Sequence, residues 1–387
     1  MKITSVTALV VNARLRNWLF VKVTTDVDGL IGWGEATLEW KTRAVAGAID
    51  DLAPLLIGEN PFRIEHLWQG QHRWQFFQGG VVTMSAISGI DQALWDIKAK
   101  SLGVPVYELI GGATRDRVRM YDHLGGGDSE AVYGNASIDG FVEAAGESVR
   151  QGYSALKILA VPVAGHFIGH QEVKVATDLM RAVRATVGDE VEIMVDLHGR
   201  ATAAMAIQYG LALAPFRPWF LEEPCQPGNP AEMAEVARAL PIPIAAGERL
   251  FDIREFRDHL AMRAMSVLQP DVCHVGGITA MKKIAAFAES HQVPIAPHNP
   301  LGPIATVVNQ HLGFSTPNFL IQEVMRADVP WRDDVVSGQL PIVDGYVSLP
   351  TEPGFGVEVN EAEAKKHPYV PEPQLRQALA DGSVADW

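Results

Sequence analysis

Six acidic or imidazole side chains recur through the second half of the chain, each following a short apolar run: Asp196, Glu222, Glu248, Asp271, His298 and Glu323. The steps between them are 26, 26, 23, 27 and 25 residues. That step accommodates one strand, one helix and two loops, as in a β/α barrel, whose eight units take roughly 250 residues. In that fold a polar residue closing a strand at its C-terminal end faces the active-site mouth. Asp196, Glu222 and Glu248 then make a set of hard oxygen donors without Cys or His, which suits Mg²⁺, or Mn²⁺, rather than zinc. A carboxylate substrate chelated by such an ion has its α-proton acidified, because the ion offsets charge that builds on the carboxylate oxygens.

Removing that proton requires a base. His298 is expected to close the strand after the one closed by Asp271, so a carboxylate can fix the imidazole tautomer and raise its basicity. His198 lies two residues past Asp196; side chains at i and i+2 share a strand face, so it is expected beside the metal as a general acid for a leaving hydroxyl. Glu323 is expected to be protonated and to donate to a substrate carboxylate, which needs a raised pKa. His123, just past the first barrel strand, is a candidate substrate contact. The other histidines, among them His66, His166, His170, His259, His291 and His367, are read as structural or surface groups.

These residues need elements to position them. Alternation over Ile3 to Val11 and Trp18 to Thr24, a turn at Asp28-Gly29 and the run Ile31 to Glu35 predict a small antiparallel sheet. Helical periodicity follows to about Ile110, with Met84 to Leu102 a long amphipathic helix ended by Gly103 and Pro105. Eight apolar runs come next: Val118-Tyr121, Ser154-Leu159, Val191-Val195, Trp219-Leu221, Ile242-Ala245, Met265-Leu268, Val293-Ala296 and Phe319-Ile321. The fold class is therefore α/β, with an α+β capping domain over residues 1–117 and a barrel over 118–350. The segment 351–387 is expected to return to the capping domain.

The chain has 387 residues, enough for one barrel and a smaller companion. With 48% hydrophobic and 20% charged residues it has globular composition. A net charge of −14 repels phosphate backbones, so no nucleic acid is expected as partner. The start MKITSVTALVV lacks the pattern of a signal peptide, and no apolar run approaches membrane-spanning length. We therefore expect no membrane contact and a cytoplasmic location. Cys225 and Cys273 are expected to be free thiols.

At these same residues the sequence resembles the mandelate racemase branch of the enolase superfamily, and within it the galactonate dehydratase-like sugar-acid dehydratases. The resemblance runs through Gly32-Trp33-Gly34-Glu35, Met84 to Ile87, Asp91 to Lys98, and Asp196-Leu197-His198-Gly199-Arg200. It continues at Glu222-Glu223-Pro224, Ala245 to Arg249, Leu268 to Asp271, and Ala296 to Ala305. It implies a modified TIM barrel, (β/α)7β, under an N-terminal cap. It further implies Mg²⁺ on Asp196, Glu222 and Glu248 rather than Glu223, His298 with Asp271 as base, and His198 as acid. The implied reaction is dehydration of an aldonic acid, galactonate or a close stereoisomer, to a 2-keto-3-deoxy acid through an enediolate. The implied partner is a small-molecule sugar acid, and we expect a homo-oligomer.

The departures from that pattern bear on substrate and on reaction. Many relatives carry Lys-x-Lys on the second barrel strand, the second lysine being a base on the far face of the substrate. Here the run is Lys157-Ile158-Leu159. Lys157 is left as a wall cation, although it or His198 could substitute for the missing base. The capping loop Trp74 to Gly80 has Phe77 and Gln78 where Tyr and Arg are expected, the loop Ala160 to Gln171 carries two histidines, and Asn299 replaces a cysteine. Lys157, Arg200, His123 and Gln78 are the candidate substrate contacts. Competing readings are a mannonate or gluconate dehydratase, a racemase, epimerase or cycloisomerase on the same metal site, and a sensor that binds without turnover.

Overall fold

The computed structural model describes residues 1–124, 137–161, 166–325, 328–374 and 376–386, so residues 162–165 of the Ala160 to Gln171 loop lie outside the described residues. The alternation at the start of the chain becomes an antiparallel sheet of β1 (Ile3–Ala13), β2 (Arg16–Thr25) and β3 (Ile31–Glu35). Gly29 turns the chain between β2 and β3 with φ of +72°, a conformation glycine adopts without strain. The helix Val81–Leu102 lies on this sheet and ends at left-handed Gly103. Contrary to expectation it is not amphipathic, because β3 covers one side and barrel segments cover another, so buried residues run round it from Met84 to Ala99. Glycines in β3 make the close approach possible: a Cβ on Gly34 would stand 2.0 Å from the Gly89 carbonyl.

The barrel strands are β4 (Arg117–His123), β5 (Ala155–Leu159), β6 (Glu192–Asp196), β7 (Leu221–Glu222), β8 (Ile244–Ala246), β9 (Val267–Leu268) and β10 (Gln322–Val324). They are parallel in the order β10-β4-β5-β6-β7-β8-β9. Single bridges from Leu268 to Ile295 and from Ile295 to Phe319 continue the ring. Two expectations are corrected here. The seventh run, Val293 to Ala296, pairs only through Ile295, and the eighth strand forms at Gln322–Val324 rather than Phe319 to Ile321.

One side chain from each of the eight runs packs inside the ring: Tyr121, Ala155, Met194, Phe220, Ala245, Val267, Ala296 and Ile321. Residues two further on continue the same inward face. The next layer toward the mouth is therefore His123, Lys157, Asp196, Glu222, Gly247, Gln269, His298 and Glu323. An apolar plug beneath and a polar layer above follow from the period of two alone.

The C-terminal segment makes contacts with the N-terminal elements. Glu372 accepts hydrogen bonds from Asn17 N at 3.2 Å and Thr42 Oγ1 at 3.1 Å, and Trp40 Nε1 donates to Pro373 O at 2.8 Å. Phe355 closes over His311 of the barrel helix Pro303–Ser315, with ring centroids 5.6 Å apart. Tyr107 N donates to His311 Nδ1 at 3.1 Å, so this imidazole joins cap, barrel and tail. Burial pushes His311 down to about 4, and it is neutral in the folded protein. Between pH 6.5 and 4 the unfolded chain then binds a proton that the folded chain does not, so stability falls as pH falls through that window. The stability advantage of the native protein over His311→Gln should accordingly shrink by up to about 3 kcal/mol from pH 6.5 to 4. Urea-unfolding midpoints of both proteins across that range measure it, and a pH-independent difference would refute it.

Candidate active site

Asp196 and Glu222 end β6 and β7, whereas Glu248 stands two residues beyond β8 after Gly247. Asp271 and His298 likewise follow their strands by three residues, and Glu323 lies inside β10. The six thus do not all close strands as expected, but the last inward turn of each chain segment still carries them to the mouth. One carboxylate oxygen from each of Asp196, Glu222 and Glu248 fits within 4.8 Å of the others. Asp196 and Glu222 are buried, and Glu248 is 15% exposed at the rim. Burial raises Glu222 well above the ordinary carboxylate value, with Asp196, Glu323 and Glu248 adding to the effect against Lys157. Burial also raises Glu248, with Glu223 and Asp196 adding to it against His298. Three crowded oxygen donors whose charges oppose one another fit a divalent cation, and these residues can hold one.

Glu223 turns away from this set. Its carboxylate accepts from Gly247 N at 3.0 Å and from Arg249 Nη2 at 2.7 Å. A φ of +41° at Glu223 produces the reversal that separates two adjacent glutamates.

His298 Nδ1 lies 2.7 Å from Asp271 Oδ2, and its Nε2 lies 3.5 Å from Glu248 Oε2. Burial lowers this imidazole, but Glu248, Asp271 and Glu323 outweigh it and lift it to about 10. A cation held by Glu248 would offset part of that lift. His198 Nε2 stands 3.1 Å from Asp196 Oδ2, and its backbone N–H donates to Asp196 Oδ1 at 2.8 Å. It reaches the mouth through a left-handed residue, φ +51°, rather than through strand alternation.

Glu323 is corrected. Burial alone would raise it, but Lys157, His123 and His298 hold it well below the ordinary carboxylate value. Lys157 Nζ is 2.7 Å away, His123 Nδ1 2.9 Å, and Asn299 N donates to it at 2.8 Å. Glu323 is thus a paired anion and not a neutral donor. Lys157 also reaches Glu222 Oε1 at 2.5 Å and Asp196 Oδ2 at 3.8 Å. Burial works against the charge on Lys157, yet Glu222 and Glu323 keep it a firm cation. Leu159, at the end of β5, is buried and apolar, so no second base stands there.

His123 is therefore in the polar layer. Arg200 is buried and donates from Nη1 to Val161 O at 2.8 Å, supporting the loop beside β5. Gln78 is exposed, with Nε2 3.5 Å from Arg73 O. It lines a groove of about 370 Å³ with Trp68, His72 and Arg254 and not with the carboxylates. Gln269 and His274 escaped the sequence reading, and Asn299 enters it only as a departure from the family pattern. Gln269 donates to Glu222 Oε2 at 2.6 Å, Asn299 fixes Glu323, and His274 stands 3.6 Å from Asp271 Oδ2. Gln269 was detectable, since it lies two residues after inward-facing Val267.

Replacing any one of Asp196→Asn, Glu222→Gln or Glu248→Gln should weaken divalent-ion binding strongly. Saturating Mg²⁺ at a hundred times its Kd stabilises a folded protein by about 2.7 kcal/mol. Denaturation with Mg²⁺ and with EDTA should show that gain in the native protein and not in the variants; equal gains would exclude this site.

Residues 6–111 match the mandelate racemase / muconate lactonizing enzyme N-terminal domain, and residues 140–363 match the enolase C-terminal domain-like family. A D-galactonate dehydratase from Verminephrobacter eiseniae is 41% identical over 100% of both chains. A mandelate racemase/muconate lactonizing enzyme-like protein from Roseovarius has a TM-score of 0.90 at 34% identity, over 98% of this chain and 99% of its own. A putative galactarate dehydratase from Agrobacterium radiobacter has a TM-score of 0.88 at 34% identity, over 100% of both chains.

Proposed function

Because this chain belongs to the mandelate racemase / muconate lactonizing enzyme family of enolase-like proteins, we propose that it is a hydro-lyase that removes water from a sugar acid, D-galactonate or a close stereoisomer. The observation that carries the reading is an imidazole at each end of the carboxylate set, His298 against Glu248 and His198 against Asp196. Asp196, Glu222 and Glu248 would hold Mg²⁺ or Mn²⁺, which supplies positive charge against the substrate carboxylate and so lowers the cost of removing the neighbouring proton.

His298 Nε2 takes the proton from C2, with Asp271 on Nδ1 stabilising the imidazolium. The electrons of that C–H bond pass into the carboxylate, giving an enediolate, and return to form the C2–C3 double bond as the C3–O bond breaks. His198 gives its proton to the departing hydroxyl, which leaves as water. The resulting enol takes up a proton at C3 as its C2 hydroxyl gives one up to solvent, becoming the 2-keto-3-deoxy acid, and both imidazoles return to their starting states by proton exchange with solvent. Lys157 and His123 keep Glu323 anionic beside this path. Leu159, in place of a base on the opposite face, supports elimination over racemisation.

The test is to incubate the protein and Mg²⁺ with a panel of aldonic and aldaric acids and assay for α-keto acid. Product from galactonate or a stereoisomer is expected; keto acid from no member of the panel would sink the reading. His298→Asn should lose turnover by about 10²- to 10⁴-fold while still binding the substrate. Exchange of the α-proton in D₂O without keto acid would instead mark a racemase or epimerase.

A further inference from the structure

The segment that carries Asp271 is gripped by the capping domain along one helix. On the helix Val81–Leu102, Ser88 Oγ accepts from Gly276 N at 2.8 Å and Gln92 Nε2 donates to Val272 O at 3.2 Å. Asp91 Oδ2 accepts from Thr279 N at 3.0 Å, and Trp95 Nε1 reaches Thr279 Oγ1 at 3.0 Å. Residues 85, 88, 92 and 95 lie on one helical stripe. At the end of that stripe nearest the mouth, Ser85 Oγ stands 3.0 Å from His274 Nδ1, and both side chains are buried.

His274 sits between that serine and Asp271. Its Nε2 is 3.6 Å from Asp271 Oδ2, the same oxygen that lies 2.7 Å from His298 Nδ1. Asp271 Oδ1 accepts from Cys273 N at 2.7 Å. Burial holds His274 below the ordinary histidine value, so it is a neutral imidazole with one N–H. A lone pair on Nε2 would face a carboxylate, which is repulsive, so the proton belongs on Nε2 and the serine hydroxyl donates to Nδ1. A buried histidine costs stability unless both nitrogens face polar partners, and here each does.

We propose that His274, its Nδ1 held by Ser85 of the capping domain, is a positioning residue for the Asp271–His298 pair. It sets an N–H against Asp271 Oδ2 at 3.6 Å, an electrostatic contact that adds to the bonds from Cys273 N and His298 Nδ1 in orienting the carboxylate and hence the direction of His298 Nε2. The docking of the cap is thereby coupled to the aim of the base. This inference rests on His298 being the proton-abstracting group of the dehydration proposed above.

The variants are His274→Phe, which removes both nitrogens, His274→Gln, whose amide N–H can still face Asp271, and Ser85→Ala. On a substrate that the native enzyme turns over, His274→Phe should lower kcat by about tenfold to a hundredfold with KM little changed, since misaimed groups lose rate and not binding. The isotope effect with 2-deuterated substrate should rise, His274→Gln should recover most of the loss, and Ser85→Ala should fall between. A readout without turnover separates this from the proposed activity. The downfield proton resonance of His298 Nδ1–H, assigned by its disappearance in His298→Asn, should shift or broaden away in His274→Phe and persist in His274→Gln. An unchanged resonance and kcat in folded His274→Phe would overturn the inference, as would a His274→Gln no better than His274→Phe. A native protein inactive on every acid, yet with the resonance altered as described, would defeat the dehydratase reading and leave the positioning role standing.

Discussion

Asp196, Glu222 and Glu248 bring one carboxylate oxygen each within 4.8 Å of the others at the top of the barrel, and the surrounding structure has to answer that crowding. At about 4 Å and an effective dielectric near 20, each like-charged pair costs about 4 kcal/mol, a large share of what a folded domain has to spare. Positive charge must answer it. Lys157 does so from within the chain, reaching Glu222, Glu323 and Asp196 together, and it can do this only because β5 adjoins β6 in the ring. A divalent ion answers it more completely, with the further property that it leaves room for a substrate anion. The polar layer is stable as a group of opposed charges, and its members are costly alone.

The capping domain meets the same problem with helix ends. Glu35, at the end of β3, is buried and accepts from Gly302 N and Ala305 N at 2.8 Å each, at the start of the helix Pro303–Ser315. Asp91 does the same at the start of Gly277–Ser290. A buried carboxylate aimed at unpaired helix N–H groups gives them acceptors and fixes that helix end, although burial still raises both carboxyls, Asp91 to about 7. The two helices so held follow directly on the segments that carry His298 and Asp271. Arg16 adds a hydrogen bond to Pro300 O at 2.5 Å. The cap therefore grips both halves of the base pair through groups that never enter the mouth.

Much of this was legible in the sequence, for reasons that also explain what was not. Inward-facing Met194, Phe220 and Ile321 are each followed two residues later by an acid, so the alternation of a strand and the spacing of a β/α unit together located Asp196, Glu222 and Glu323. Strand ends were less legible: Glu248, Asp271 and His298 stand beyond ladders that are short or reduced to a bridge, and apolar runs do not reveal where hydrogen bonding stops. The charge state of Glu323 was misread because Lys157 and His123 are remote in sequence, and only closure of the ring between β10, β4 and β5 brings them to it. His198 was expected in the right place for the wrong reason, since a left-handed histidine is not signalled by composition. Gln78 was assigned by resemblance, and a resemblance of loops does not specify where a side chain ends.

The position of Leu159 connects these points. It occupies the last residue of β5, beside Asp196 in the ladder, where a cationic base could otherwise have stood. Two lysines on that strand would place two ammonium groups beside the same carboxylates, and the second could serve as a base only if its neighbours held it neutral. With Leu159 in place, Lys157 is free to remain a permanent cation. In the proposed dehydration, proton transfer then falls to the imidazoles at the two ends of the carboxylate set, each tied to a carboxylate of its own. One accepts and the other donates, an asymmetry suited to removing water rather than to inverting a carbon centre.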